Sequence, residues 1–323
     1  MSEFLPDFEL ARPQSIEQAV ELFETKSQSR YCAGGTDLVV NMRRGLVELE
    51  TLIDLSDIAG LKNRTFTDDG LHIGAGVPLC VLAEDPQIAD NFPAITQAAG
   101  LVAGPNHREV ATLGGNLCLD TRCLYLNQSH WWRKSNDYCL KYKGDICHVA
   151  PNGNRCRAAF SGDLAPALLI YDAQIDLLGP DGHRRIPLKA LYREDGADHL
   201  LLEAGEILVS VFIPSSEVKS TYQKIRVRGA VDFPLAGVAV SCEKFDEGRY
   251  CFKLAITGTN SMPVLVDIPD FASDKADADA YFEAIGKQVQ KAVSPQRTST
   301  IAPHYRRLSI AALAMRLARG MVS

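Results

Sequence analysis

The stretch RYCAGGTDLVVNMRRG, residues 30–45, holds the reading that decides the fold. A short strand ending at Ala33 runs into Gly34 and Gly35, and Thr36 or Asp37 can cap a helix carrying Leu38, Val39 and Met42. Without a Cβ, backbone at such a pair can turn with positive φ and approach a ligand closely, while successive N–H groups face an anion. The helix N-terminus behind it adds partial positive charge. A second pair in ATLGGNLC, residues 111–118, offers the same device and reads as another strand-to-loop transition. Neither AGGTDL nor TLGGN matches G-x-G-x-x-G or the P-loop, so Rossmann and Walker folds are not indicated. One such pair alone reads as a turn; two together put a ligand on an equal footing with that reading.

Outward from the first pair, Ser15 and Glu17 mark a helix start, with Ile16, Ala19, Val20, Leu22 and Phe23 at helical spacing. TLIDLSDI (51–58) is a returning strand. A second region runs from the strand GLHIGAGVPL (70–79) through the helical AITQAAGLVA (94–103) to the helix and strand of FSGDLAPALLIYDAQIDLLG (160–179) and the strand EILVSVFIP (206–214). Beyond it, PLAGVAVSCEKF and RYCFKLAITG form a hairpin around Asp246, Glu247 and Gly248, and two helical patterns close the chain. The divisions fall at 1–57, 58–216 and 217–323.

The 323 residues carry 34 basic and 40 acidic side chains, a balance that argues against a dedicated nucleic-acid binder. No stretch approaches the roughly 18 apolar residues of a membrane span, and MSEFLPDFEL is acidic and broken by Pro6. The expectation is a soluble, cytoplasmic protein. Of nine cysteines, five lie between 118 and 156, where an even spread gives about one. Four thiolates in a polar loop suit tetrahedral zinc or an iron–sulfur cluster. C-x-x-C pairs, the usual mark of a zinc module, are absent, which leans the reading toward iron without excluding zinc. Leu119 to Arg157 hold seven basic against three acidic residues, opposite in sign to the rest of the chain. Such cations can offset a cluster's negative charge, or form a solvated docking face.

Five segments in order, AGGTDLVVNMRR, IGAGVPL, ATLGGNL, SGDLAPALL and EILVSVFIP, resemble the FAD-binding subunits of molybdenum hydroxylases, the xanthine dehydrogenase family. The resemblance implies an α+β protein: an FAD-binding fold of the vanillyl-alcohol-oxidase (PCMH) type in two parts, followed by an α+β C-terminal domain. It implies a first pyrophosphate loop at Ala33, Gly34, Gly35, Thr36, Asp37 and Leu38, and a second at Thr112, Gly114, Gly115 and Asn116. Asp163, Leu208 and Lys224 match further flavin-contacting positions, and Val102 stands where many relatives have an aromatic residue against the isoalloxazine ring.

In ordinary members the GGN loop reaches the S-D-L-x-P-A segment within about ten residues; here Asn116 and Asp163 are separated by 46. The insertion, about 119–157, contains Cys123, Cys139, Cys147 and Cys156, whereas Cys118 adjoins GGN. That insert narrows the resemblance to the branch that reductively removes the phenolic hydroxyl of 4-hydroxybenzoyl-CoA. It implies FAD and a [4Fe–4S] cluster on this chain, a large molybdenum-cofactor subunit, a small subunit with two [2Fe–2S] centres, and an external ferredoxin-type donor.

Overall fold

The computed structural model describes residues 5–245, 248–272, 278–297 and 301–322. Three sheets succeed one another along the chain. In the first, β1 (Glu9–Ala11) and β2 (Ser29–Cys32) flank β3 (Thr51–Asp54) in parallel. The connections are helices α1 (Ile16–Thr25) and α2 (Leu38–Arg43), as parallel pairing requires. Ser15 starts α1, its hydroxyl accepting the Gln18 N–H at 3.2 Å. The buried face of α1, Ala19 and Val20, meets Ile53 of β3, Ile58, Leu61 and Ile207, so the first unit and the second share a core.

The second sheet has the order β4-β5-β8-β6-β7, from β4 (Arg64–Thr67), β5 (Gly70–Gly74), β6 (Gln174–Gly179), β7 (Gly182–Pro187) and β8 (Ile207–Pro214), all antiparallel. Between β5 and β6 lie α3 (Leu79–Glu84), α4 (Pro86–Asn91), α5 (Pro93–Leu101), α6 (Pro105–Arg108), α7 (Leu113–Leu117), α8 (His130–Ser135) and α9 (Leu164–Leu169). The second glycine pair therefore sits inside a short helix and not at a strand-to-loop transition. The cause is local: Thr112 Oγ1 accepts the Gly115 N–H at 3.1 Å and Thr112 O accepts the Asn116 N–H at 2.9 Å.

The third sheet orders β12-β11-β10-β9, with β9 (Lys219–Ile225), β10 (Ala236–Lys244), β11 (Arg249–Thr257) and β12 (Val264–Val266), while β13 (Phe271–Ala272) pairs with β11. The hairpin is present, Lys244 pairing with Tyr250; Asp246 and Glu247 of its turn lie outside the described residues. β10 is buried on both faces. Val238 and Val240 pack against α10 (Ala278–Ala292) and α11 (Pro303–Met321), whereas Ala239 joins the core built on α5 and α9. Alternation along one strand thus fastens the C-terminal layer to the rest.

The cysteine-rich insertion leaves and returns through one point. Arg122 N donates to Ala159 O at 2.7 Å and Ala159 N to Arg122 O at 2.8 Å. Gln296 Nε2 braces the junction, donating to Arg122 O and Arg157 O, each at 2.9 Å. The excursion has little apolar core. Leu126, Cys147 and Cys156 are buried, and aromatic pairs such as Tyr125–Trp132, Tyr125–His148 and Tyr138–Tyr142 add to its packing. Arg133, 2% exposed, lies over the Tyr142 ring and donates to Arg44 O, the C-cap of α2, at 2.9 Å.

Ala239 is small where two layers meet, so Ala239→Leu should overpack that seam and lower stability by ~1–3 kcal/mol. A urea melt of the purified chain checks this; an unchanged midpoint would show that the seam has room.

Candidate functional site

Between the first sheet, α7 and the segment Leu200–Leu208 runs an elongated cleft formed by two adjoining cavities of about 780 and 670 Å³. Arg30, Tyr31, Ala33, Gly34, Thr112, Gly115, Cys118 and Leu200 contribute to both. The larger adds Gly114 and Leu208; the other adds Gly35, Thr36, Asp37, Leu38, Val102, Asn116 and Asp163. Of the residues singled out for flavin contact, Lys224 alone lines neither cavity.

The two glycine loops, similar in sequence, do different things. In the first, the N–H groups of Gly34, Thr36, Asp37 and Leu38 find no acceptor among the described residues, so they form a free donor set on the cleft wall. The second has no such set. Leu113 N is bound to Val77 O at 3.0 Å, Gly114 N to Ala75 O at 2.8 Å, Gly115 N to Thr112 Oγ1 and Asn116 N to Thr112 O. The missing side chains also serve the protein itself. A Cβ on Gly34 would overlap the Val110 carbonyl, and one on Gly114 would stand 2.8 Å from the Ala75 Cβ. Gly35, at φ +69°, supplies a left-handed turn.

Asp37, expected as a possible cap for α2, makes no side-chain cap. Its carboxylate pairs with Arg122 at the mouth of the insertion, where that guanidinium also lies 4.7 Å from the Phe233 ring centroid. Burial lowers the Arg122 pKa to about 10. Asp163 is 3% exposed; its oxygens accept the Tyr222 hydroxyl at 2.5 Å and Lys224 Nζ at 3.2 Å. Burial pushes the Asp163 carboxyl up and the Lys224 ammonium down, and each charge opposes the shift in the other. Lys224 therefore stands behind Asp163 and positions it. Asn116 Oδ1 accepts the Leu164 N–H at 3.0 Å, tying α7 to the start of α9.

None of Cys123, Cys139, Cys147 and Cys156 lines the cleft; Cys118, outside the insertion, does. Burial raises the Cys123 thiol, and the charges of Cys139 and Cys147 raise it further. Burial pushes Cys156 up to about 12, with Cys147 and Cys123 contributing in the same sense. The four thiols do not converge on a point: among the described residues no group of three or more His, Cys, Asp or Glu could hold a metal ion. His148 is engaged elsewhere, its Nε2 2.5 Å from Tyr138 O and its ring against Tyr125.

The family described as the FAD binding domain in molybdopterin dehydrogenase matches residues 6–216. The chain belongs to that family. It is 27% identical over 301 residues to the putative xanthine dehydrogenase FAD-binding subunit of Escherichia coli K12, covering 91% of this chain and 89% of that one. The aldehyde oxidoreductase FAD-binding subunit of the same strain is 30% identical over 255 residues, 75% of this chain and 78% of its own. In fold, the chain matches a structure of carbon monoxide dehydrogenase from Hydrogenophaga pseudoflava lacking the Mo-pyranopterin moiety, with a TM-score of 0.78 at 20% identity over 98% of both chains. The α+β FAD-binding fold expected from the sequence is the one found. This FAD subunit of a molybdenum hydroxylase has, among its described residues, no helix long and apolar enough to cross a membrane.

Sequence reasoning on the FAD subunit missed several cleft-lining groups: Asp120, Arg122, Lys141, His199 and Phe233. Two of them, Arg122 and Lys141, were visible only as part of the insertion's basic excess. Lys141 Nζ donates to Asp120 Oδ1 and to Thr121 Oγ1, each at 2.5 Å. His199 Nε2 lies 3.0 Å from Leu119 O; burial, helped by the charge of Lys141, lowers its pKa to about 4.

The glycine geometry makes Gly34→Ala costly, by ~1–3 kcal/mol from forced displacement of Val110. Gly115→Ala, where a Cβ meets only Thr112 Oγ1 at 3.0 Å, should be nearly neutral. Urea midpoints of the two variants test the difference, and equal losses would refute it. For His199 the neutral form is the folded one. As pH falls from about 6.5 toward about 4 the unfolded imidazole takes its proton first, so stability contributed by this group is lost across that window. His199→Gln should flatten the pH dependence of the midpoint between those limits.

Proposed function

We propose that this chain is the flavin and iron–sulfur electron-transfer subunit of a molybdenum enzyme that reductively dehydroxylates 4-hydroxybenzoyl-CoA to benzoyl-CoA. The observation that carries the reading is the insertion itself: four cysteines, Cys123, Cys139, Cys147 and Cys156, apart from Cys118, in a segment whose basic excess opposes the sign of the rest of the chain. FAD would be held without a covalent bond. The free N–H groups of Gly34, Thr36, Asp37 and Leu38 suit its pyrophosphate, Val102 would face the isoalloxazine ring, Asp163 would meet the ribityl and adenosine portion, and Leu208 would contact the flavin from the other cavity. When bound, FAD supplies one-electron and two-electron exchange, and a [4Fe–4S] cluster one-electron exchange.

The spacing of the cysteines favours a cluster over zinc: C-x-x-C pairs, usual in zinc modules, are absent. Among the described residues no group of three or more His, Cys, Asp or Glu is placed to hold a metal ion, so the thiols as they stand in this structure fit neither. The backbone around Cys139 is left-handed at three residues: Asp137 and Tyr138, immediately before it, and Lys143 after it hold φ of 52°, 59° and 58°. Such conformations cost on the order of 1–3 kcal/mol each and persist where the surroundings over-determine them. In a loop with so little apolar core, a cluster would supply that constraint.

The remaining subunits follow from the same reading: a large molybdenum-cofactor subunit where substrate reacts, a small subunit with two [2Fe–2S] centres, and an external ferredoxin-type donor, assembled as a hetero-oligomer. The relatives support this arrangement, since matched proteins include the medium chain of carbon monoxide dehydrogenase and the medium subunit of nicotine 6-hydroxylase. The residues of this chain bind and orient the carriers, keep water from them and place them in series.

Metal analysis and a visible spectrum test the proposal. Iron should be present and zinc absent. Ser in place of Cys123, Cys139, Cys147 or Cys156 should lower iron and the broad visible absorption, while Cys118→Ser should leave both unchanged. One zinc per chain without iron would replace the cluster with a zinc-stapled docking insert. Gly35→Val should give flavin-depleted protein, and the isolated chain should not turn over 4-hydroxybenzoyl-CoA. Equal rates of molybdenum reduction by the donor in wild-type assembly and in a folded, cluster-free, FAD-replete variant would take the cluster off the electron path.

A further inference from the structure

The donor set of the first loop is built beside a negative charge of its own. Asp37 contributes one of the free N–H groups, and its residue lines the same cavity. An anion brought to those donors meets the Asp37 carboxylate, and like charges at close range repel strongly where water is excluded. That carboxylate is held from two sides. Asn41 Nδ2 donates to Oδ2 at 3.3 Å, and the Arg122 guanidinium pairs with Oδ1. Asn41 carries no charge, so Arg122 is the group that neutralises Asp37. Arg122 is itself fixed: its backbone forms the clasp with Ala159, its carbonyl accepts Gln296 Nε2, and its guanidinium lies on the Phe233 ring. Its fork is nevertheless not full. Nε is buried without a hydrogen-bond partner among the described residues, although the side chain, 15% exposed, lines the cavity that holds the loop donors. A buried donor left unpaired is unfavourable until a ligand or water takes it up. The other cations on that wall differ, since Arg30 and Arg44 are exposed and the Lys141 ammonium is engaged by Asp120 Oδ1 and Thr121 Oγ1.

We propose that Arg122, supplied by the insertion, is a pyrophosphate-binding residue of the FAD site: its guanidinium cancels the Asp37 charge beside the loop donors and offers Nε to a phosphate oxygen. The inference rests on the placement of the pyrophosphate at the first loop and deepens it, and it is independent of what the insertion's thiols hold. A planar guanidinium suits both tasks at once. Its separate N–H groups can hold a carboxylate and a phosphate oxygen together, whereas an ammonium acts as a point charge. The backbone clasp and the Phe233 ring keep the fork in one orientation, so little freedom is lost when the ligand arrives. The inserted segment thereby takes part directly in holding FAD.

The test is rebinding of FAD to the flavin-stripped full-length chain, followed by its visible absorption at several salt concentrations. Arg122→Gln should weaken FAD by roughly tenfold or more, the loss of one charge-assisted hydrogen bond. It should also make the dissociation constant less sensitive to salt, because one cation fewer faces the phosphates. Arg122→Lys should recover part of the affinity, keeping the charge without the fork. In an Asp37→Asn background the same Arg122→Gln change should weaken FAD less than it does alone, since the carboxylate to be neutralised is gone. Lys143→Gln, an equal charge loss at an exposed position of the same insertion, should leave binding as it was. Unchanged FAD affinity in Arg122→Gln, an unaltered salt dependence, or an equal loss from Lys143→Gln would each overturn the proposal. Should Arg122→Gln fail to fold, Asp37→Asn decides: with Arg122 in place and its counter-charge removed, FAD must bind more tightly, and equal or weaker binding refutes the role. Full flavin in Gly35→Val would sink the placement of the pyrophosphate at the first loop, whereas flavin loss there with unchanged binding in Arg122→Gln would sink the role of Arg122 alone.

Discussion

The meeting of Gly34 with the Val110 carbonyl is the contact on which the cleft depends. It is backbone against backbone, possible only where no Cβ intervenes. It seats the loop after β2 on the strand of chain that leads into α7, and so brings the first small sheet against the second unit. With Gly34 so placed, the N–H groups of Thr36, Asp37 and Leu38 have no acceptor among the described residues and remain available on the cleft wall. The second glycine pair supports the same approach from the other side, with Gly114 pressed on Ala75 and its amides bound internally. One pair presents donors; the other keeps the wall close.

That division of labour was only half legible in the sequence. Both pairs read as anion loops because the device is written in glycine alone. Yet Thr112, three residues before Gly115, is an N-cap type, and its presence marks the second pair as the start of a helix whose amides are committed. The larger elements were legible because their periodicities are long: α1, α5, α11 and the β10–β11 hairpin all fall where the apolar spacing puts them. Lys224 was misplaced for a different reason. A motif match gives a position along the chain, whereas its burial behind Asp163 depends on the end of β9 meeting the start of α9, a relation between distant segments.

The insertion illustrates the same limit. Its basic excess was plain from composition, but the partners of those cations were not. Asp37 for Arg122, Glu48 for Lys143, the Arg44 carbonyl for Arg133 and Glu194 for Arg155 are all remote in sequence. Opposite net charge in the insertion and in the body therefore has a structural use. A segment with too few apolar side chains to bury is held to its host mainly by charge-assisted contacts, several of them at the edge of the first loop. Salt weakens the exposed members of such a set more than the buried ones.

The paired hydrogen bonds between Arg122 and Ala159 set the insertion apart in another respect. Chain that departs and returns at one clasp can change length without moving the segments on either side. The entropy of closing a flexible loop grows only with the logarithm of its length, by about 0.6 kcal/mol for each doubling. A scaffold with a clasp at this place can therefore carry a segment of thirty-odd residues at the rim of the cleft and leave the geometry of the cleft wall to the elements on either side, the junction resting on two hydrogen bonds.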